Sequence, residues 1–166
     1  RAGVMLYGLY PSDQVKKENV NLKPVMTLKA AISNVKTVNP GEGISYGHNF
    51  VTNTSTRIAT IPIGYADGLT RLLNHKLEVS IKGRRVPIVG NICMDQCMAN
   101  VSEIEDVKIG DEVVIFGDGS KGEASADEIG RIIGTINYEV VCMISKRVPR
   151  VYVKNNEIVY IKDYLY

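Results

Sequence analysis

The sequence predicts a mainly β domain, a small β-barrel-like fold with one or two short helices near its C-terminal end. Apolar runs of strand length are broken by turn signals at roughly 8–12-residue intervals, the pattern of barrels and sandwiches. Helical periodicity with capping residues is confined to the stretch after Ser125. The 166 residues, 45% apolar and 23% charged, suffice for one cored domain and exclude a disordered or fibrous chain.

In chain order, RAGVMLYGLY is apolar after Arg1 and reads as a strand buried on both sides. Pro11 to Pro24 is polar and turn-rich, a linker. VMTLKAAISNVKTV alternates as one long half-buried strand ending at Asn39-Pro40-Gly41. ISYGHNF and RIATIPIGYADG read as two further extended runs. LEVSIKGRRVPIVG reads as two strands joined by a tight turn at Lys82-Gly83. NICMDQCMANV and DEVVIFG add two more strands, with Ile109-Gly110-Asp111 turning between them. Ser125 caps a helix whose first turn holds Asp127 and Glu128, and whose apolar face is Ile129, Ile132 and Ile133. Gly134 stops it. A second short helix runs from Tyr138 to about Ser145, and VPRVYV with EIVYIK forms a closing hairpin.

Charge and cysteine usage narrow the function classes. Basic residues number 20 against 18 acidic, a net charge of +2 with no long block of one sign. A phosphate-neutralising surface carries a stronger basic excess, so nucleic acid receives no support. No apolar run approaches the roughly 20 residues that span a bilayer, and no signal-peptide pattern is present. Cys93, Cys97 and Cys142 are an odd number without a disulfide framework, as in a reducing, cytoplasmic compartment. With only His48 and His75 as histidines, no four-ligand metal site is expected, and Cys93 and Cys97 read as small buried apolar residues.

Polar residues set into apolar runs mark where chemistry can sit. Tyr46 stands beside Ser45, Gly47 and His48; Tyr65 and Asp67 lie between glycines; Asp95 and Gln96 interrupt a sulfur-rich run; and Asn137, Tyr138 and Glu139 open the second helix. Each tyrosine alone reads as a half-buried ring with a wet hydroxyl, and Asp67 as a turn residue. Asp95, flanked by Met94 and Cys97, needs partners if buried. The residues alone give a β domain with a tyrosine-rich polar seam and no reaction.

Six segments in order, RAGVMLYGLYPS, GISYGHNF, IATIPIGYADG, VPIVGNICMDQCM, GDEVVIFG and TINYEVVCMISKRVPRVY, together resemble the C-terminal part of bacterial alanine racemase, from Arg1 to about Val153. The resemblance implies a pyridoxal 5′-phosphate enzyme whose N-terminal α/β barrel binds most of the cofactor and holds its lysine. It implies residues 1–12 as the last barrel strand and start of the linker, and 13–166 as the C-terminal β domain. It also implies a homodimer with active sites shared between subunits, and alanine as substrate for peptidoglycan synthesis. No lysine here lies in a segment resembling the family's lysine motif, so the isolated chain is expected to be inactive.

Residue by residue, Tyr46 matches the family's catalytic tyrosine, which removes the α-proton of L-alanine and returns a proton to that face in reverse, while the barrel's lysine does the same on the opposite face. Racemisation needs a proton to leave one face and arrive on the other, hence two acid/base groups. A free phenol has a pKa of about 10 and needs a cation nearby to lose its proton at neutral pH. His48, two residues on, is a candidate helper if the run is extended. Arg1 matches the arginine facing the pyridine nitrogen, which it leaves unprotonated because a guanidinium accepts no proton. Gly3, Val4 and Tyr138 match the phosphate-binding positions, and Met94 the residue whose N–H binds the substrate carboxylate. Tyr65, Arg71 and Ile136 match the lining of the substrate channel, whose inner end Tyr46 and Tyr138 narrow to favour a methyl side chain. Asn91 stands where the family commonly has an arginine, so the channel loses a charge there. Serine or broad-specificity racemases of the same fold are the alternative substrate classes. A non-catalytic small barrel that binds single-stranded nucleic acid is the alternative from another class, and it needs aromatics interleaved with Lys and Arg on one face.

Overall fold

The alternating stretch after Val25 is split. β1 (Leu28–Ala31) and β2 (Asn34–Val38) occupy opposite edges of a seven-stranded antiparallel sheet. The structure, a computed structural model, describes residues 1–165. The remaining elements are β3 (Gly43–Ile44), β4 (Phe50–Val51), β5 (Thr56–Ile61), β6 (Glu78–Ile81), β7 (Arg84–Val89), β8 (Cys97–Asn100) and β9 (Glu112–Phe116). They are followed by α1 (Ala126–Ile133), α2 (Asn137–Met143), β10 (Arg150–Lys154) and β11 (Glu157–Lys162). The large sheet runs β1-β9-β6-β7-β8-β5-β2. At the split, the Ile32 N–H bonds the Asp111 carbonyl at 3.0 Å and the Ser33 N–H bonds that of Thr60 at 2.9 Å. Adjacent residues thus serve the two ends of the sheet, which curls to bring both within reach of one segment. A single straight strand pairs along one edge only; the bend lets one stretch of chain cover both.

The run RIATIPI is apolar almost throughout because β5 is covered on both faces. Ala59 and Ile61 turn inward with Ile88, Cys97 and Ala99, and all of these are at most 1% exposed. Ile58, Met98 and Val89 turn outward into a second, smaller cluster with Val38, Ile44 and Cys93, against which Phe50 packs. The short β3–β4 hairpin, paired as Gly43↔Val51 and Ile44↔Phe50, therefore lies over the outer face of β5, β7 and β8. Each fully buried aliphatic side chain contributes about 1.5–3 kcal/mol, so this hairpin is anchored by its own residues Ile44 and Phe50.

Turn chemistry sets the tight connections. Lys82 and Gly83, at φ of 51° and 76°, make the β6–β7 turn, and Asn155 and Asn156, at 53° and 64°, make that of β10–β11. Both are the left-handed pairs that match strand twist. The Ser125 hydroxyl accepts the Glu128 N–H at 3.1 Å at the start of α1, and left-handed Gly134 ends it, as the sequence predicts. α2 starts one residue earlier than expected. Its Asn137 donates to the Tyr10 carbonyl at 2.9 Å and to Asp127 at 2.7 Å, tying the N-terminal segment to both helices.

The expected strand over the first ten residues is not formed. Gly3–Tyr7 is a 3-10 helix that buries Val4 and leaves Leu6 75% exposed. A strand needs neighbours for its N–H and C=O groups; among the described residues no strand flanks this segment, and its backbone closes local bonds instead. Nor is NICMDQCM extended throughout. Asn91 to Gln96 forms a loop closed by the Cys93 N–H on the Gln96 carbonyl at 2.9 Å, and the strand begins only at Cys97.

Candidate functional site

Tyr46 sits at the tip of the β3–β4 hairpin rather than within an extended run. Ser45, Gly47 and His48 have φ of 68°, 75° and 47°, a left-handed sequence that reverses the chain and leaves Tyr46 78% exposed. Left-handed backbone is costly for the two residues that carry a Cβ, so the tip holds this shape only because its surroundings fix it. Those surroundings are polar. The Ser45 hydroxyl donates to the Asn91 carbonyl at 2.7 Å and lies 3.3 Å from the Cys93 sulfur. The Asn91 side-chain N–H donates to the Tyr46 carbonyl at 2.7 Å. Asn49 and Asn74 donate to the Asn91 side-chain oxygen at 3.4 and 3.0 Å. Gly90 admits this contact, since a Cβ there would stand 2.7 Å from the Ile44 carbonyl oxygen. The His48 ring lies back over Gly43, where an added Cβ would meet it at 2.5 Å. The same-side argument for His48 assumed a strand, and the hairpin tip removes it.

The Tyr65–Asp67 turn is bound to the Asn91–Gln96 loop. The Tyr65 and Ala66 N–H groups donate to the Cys93 and Met94 carbonyls, both at 3.0 Å. Gly64 is required there, because a Cβ would approach the Cys93 carbonyl oxygen to 2.2 Å. Asp67 is buried and accepts the Gly64 N–H at 2.9 Å, so the turn reading of this residue is correct. Asp95 is not a buried carboxylate: it is 57% exposed and bonds Arg147 at 2.7 Å. Arg147 also reaches Asp67 at 3.5 Å, and the Asp95 hydrogen bond, then the Asp67 charge, holds its guanidinium above the ordinary arginine range. Among the described residues the Met94 N–H makes no hydrogen bond, while its side chain is half-exposed.

A second group lies at the N-terminal segment. The Met5 N–H makes the first bond of the 3-10 helix, to the Ala2 carbonyl at 3.3 Å. The N–H groups of Gly3 and Val4 precede it and have no partner within the helix. Gly3 adjoins Tyr138: a Cβ on Gly3 would meet the ring at 3.8 Å. Tyr138 is half-buried on the first turn of α2, Ile136 is exposed before it, and Arg1 is exposed at the terminus. Arg71 is exposed on the 3-10 turn Arg71–Leu73, which the Thr70 hydroxyl caps by accepting the Leu72 N–H at 3.3 Å. Tyr46, Tyr65, Met94 and Asn91 are thus brought together through one hydrogen-bonded loop system, while Gly3 and the Tyr138 ring are brought together by close approach, with Val4 next to Gly3 in the chain. Among the described residues no hydrogen bond joins Tyr46 to Tyr138. The sequence singles out Ser45 only as a neighbour of Tyr46 and does not single out Asn49, Asn74 or Arg147, since nothing local to each signals its long-range partner.

Cys93 and Cys97 are buried in the core, while Cys142 is exposed. Burial pushes the Cys97 thiol up to about 12, as suits an inert core residue. Among the described residues no cluster of three or more metal-ligating side chains occurs, and no helix is long and apolar enough to cross a membrane.

Comparison with known proteins decides what this arrangement belongs to. Residues 25–152 match the family described as alanine racemase, C-terminal domain. This chain belongs to the alanine racemase C-terminal domain family. Alanine racemase 1 of Clostridium acetobutylicum is 53% identical over 165 residues, 99% of this chain and 43% of that protein. The alanine racemase of Clostridium novyi is 51% identical over 166 residues. Among solved structures, that of Clostridium difficile 630 alanine racemase in complex with cycloserine superposes with a TM-score of 0.93 at 52% identity, over 99% of this chain and 43% of that one. The Bacillus anthracis enzyme with bound L-Ala-P gives 0.91 at 39% identity over 98% of this chain. The chain spans less than half the length of these alanine racemases. The mainly β fold, with a curled seven-stranded sheet and two helices, is that of an alanine racemase C-terminal domain.

Proposed function

We propose that this domain acts within a cytoplasmic, pyridoxal-phosphate-dependent alanine racemase that interconverts L- and D-alanine for peptidoglycan synthesis, and that it supplies the tyrosine acid/base, Tyr46. What carries the reading is the placement of Tyr46: an exposed phenol on a braced hairpin tip, within a loop system that also offers the free Met94 N–H. Tyr46 Oη takes the α-proton from one face of the substrate and returns it there in the reverse direction. The Met94 N–H holds the substrate carboxylate. Tyr65, Arg71, Asn91 and Ile136 line the approach.

The residues present fit the phosphate end of the cofactor. The Gly3 and Val4 N–H groups precede the first bonded N–H of the 3-10 helix, that of Met5, and Tyr138 adjoins Gly3. Two amides and a phenol make a neutral anion clamp, with Arg1 toward the ring nitrogen. When bound, the cofactor withdraws electrons from the α-carbon and acidifies its proton. The remaining ligands, including the Schiff-base lysine, belong to an N-terminal barrel in the same polypeptide. Tyr138 stands by the segment that leads from that barrel and serves its own site, whereas Tyr46 projects to the site of the second subunit of a homodimer. The domain is inactive alone.

Tyr46→Phe in the full-length enzyme tests the reading. Losing one general acid/base should lower L-to-D conversion by about 10²–10⁴-fold without loss of bound cofactor. Undiminished conversion would refute the role. Serine in place of alanine separates the two substrate classes: a narrow channel bounded by Tyr46 and Tyr138 should favour alanine.

A further inference from the structure

The hairpin that carries Tyr46 is too short to fix its own tip. Its ladder holds only the pairs Gly43↔Val51 and Ile44↔Phe50, and Ser45 and His48 both sit at positive φ. The tip is instead gripped from outside. Asn91 donates to the Tyr46 carbonyl at 2.7 Å through its side chain and accepts the Ser45 hydroxyl at 2.7 Å on its own carbonyl. The orientation of its amide is settled by chemistry. A carbonyl can only accept, so the nitrogen must face Tyr46, and the oxygen then receives Asn49 at 3.4 Å and Asn74 at 3.0 Å. Asn74 is itself oriented, because its oxygen accepts the Ile92 N–H at 2.8 Å. Tyr46 thus hangs from a chain of hydrogen-bonded amides rooted in the Asn91–Gln96 loop.

We propose that Asn91 is a positioning residue for Tyr46: its carboxamide clamps the hairpin tip and sets where the phenol stands relative to the α-carbon. The inference rests on Tyr46 being the acid/base. It assigns Asn91 a task beyond lining a channel, and one that a neutral side chain performs because both a donor and an acceptor are needed at the same place. An error of about 1 Å in a reacting group costs on the order of 10²-fold in rate, so a slack tip should be felt in the proton transfer on the face that Tyr46 serves and not on the other.

Asn91→Asp in the full-length enzyme is the cleanest perturbation. It keeps the shape and the oxygen that Asn49 and Asn74 use, and replaces the N–H facing the Tyr46 carbonyl with a second, negatively charged oxygen that repels that carbonyl. The expected result is a kcat lowered by about tenfold or more, the scale of one lost hydrogen bond, a larger change than any in KM for alanine, and a melting temperature lowered by only about 2–4 °C. The primary isotope effect should rise with α-deuterated L-alanine and fall with α-deuterated D-alanine, whose own proton leaves from the face that Tyr46 does not serve. Hydrogen exchange should quicken in peptides covering residues 43–51 and nowhere else. Unchanged kcat and exchange overturn the proposal, as does a kcat loss with isotope effects that rise equally from both directions, the mark of a general structural defect. If the unaltered enzyme does not racemise alanine, the reading of Tyr46 fails, and the exchange measurement still decides the clamp: quicker in Asn91→Asp supports it, equal overturns it.

Discussion

Ile44→Ala should unseat the β3–β4 hairpin while leaving the main barrel core intact. Ile44 is 5% exposed and packs in the outer cluster with Val38, Ile58, Val89, Cys93 and Met98. Truncation of a buried isoleucine to alanine costs about 2–5 kcal/mol, depending on how far the site collapses. The cluster lies under a two-strand flap that can relax, so the lower half of that range, about 2–3 kcal/mol, applies. For a domain of this size each kcal/mol moves the melting temperature by about 2–4 °C, giving a fall of about 4–12 °C. Thermal denaturation followed by circular dichroism reads it, with Val51→Ala as the control because Val51 is 47% exposed. Hydrogen exchange should then quicken over residues 43–51 before β6, β7 or β9. A melting temperature that falls no further than that of the control would refute the covering role assigned to the hairpin, as would loosening spread evenly over the sheet.

Gly64→Ala places a Cβ 2.2 Å from the Cys93 carbonyl oxygen, so soluble yield or melting temperature should drop more than for any exposed substitution; a neutral outcome would contradict the close approach. Lys121, then Lys29, holds the Glu112 carboxyl below its usual range, and Arg85 does the same for Glu128. Folded values below unfolded ones mean that their contribution is present above about pH 4–5 and is lost as the pH falls through the depressed values. Glu128→Gln should therefore flatten the acid limb of a stability–pH curve; because the Arg85–Glu128 pair is about one-third exposed, solvent screening keeps the effect modest. Iodoacetamide at mild alkaline pH should label exposed Cys142 and spare Cys97, whose thiol is pushed up to about 12; mass spectrometry showing rapid labelling of Cys97 in the folded protein would contradict its burial.

Local chemistry explains which parts of this fold can be read from sequence. Lys82-Gly83 and the Ser125 to Gly134 helix are visible because turn and cap residues act within a few positions of themselves. The β1/β2 split at Ile32-Ser33 is invisible, since the alternation continues unbroken while the hydrogen-bond partners change from Asp111 to Thr60. The first ten residues mislead for a related reason: apolar character predicts burial, but a strand also needs a neighbour. At the site, Tyr46, Tyr65 and Tyr138 stand out as polar positions in apolar runs, but their roles, and that of Met94, come only from family resemblance. Asp95 is exposed and its partner, Arg147, lies too far away in sequence to be read locally. The amide chain of Asn49, Asn91 and Asn74 left no local trace either, each residue being an ordinary turn or loop type on its own.

The most direct measurement of the proposed function is L-to-D alanine conversion with added pyridoxal phosphate, made on this chain alone, on an N-terminal barrel alone, and on the two co-refolded. The division of acid/base groups and cofactor ligands predicts silence from each part and conversion from the mixture. Conversion by this chain alone would contradict it, because the Schiff-base lysine, the second proton carrier, would then have to reside among residues 1–166.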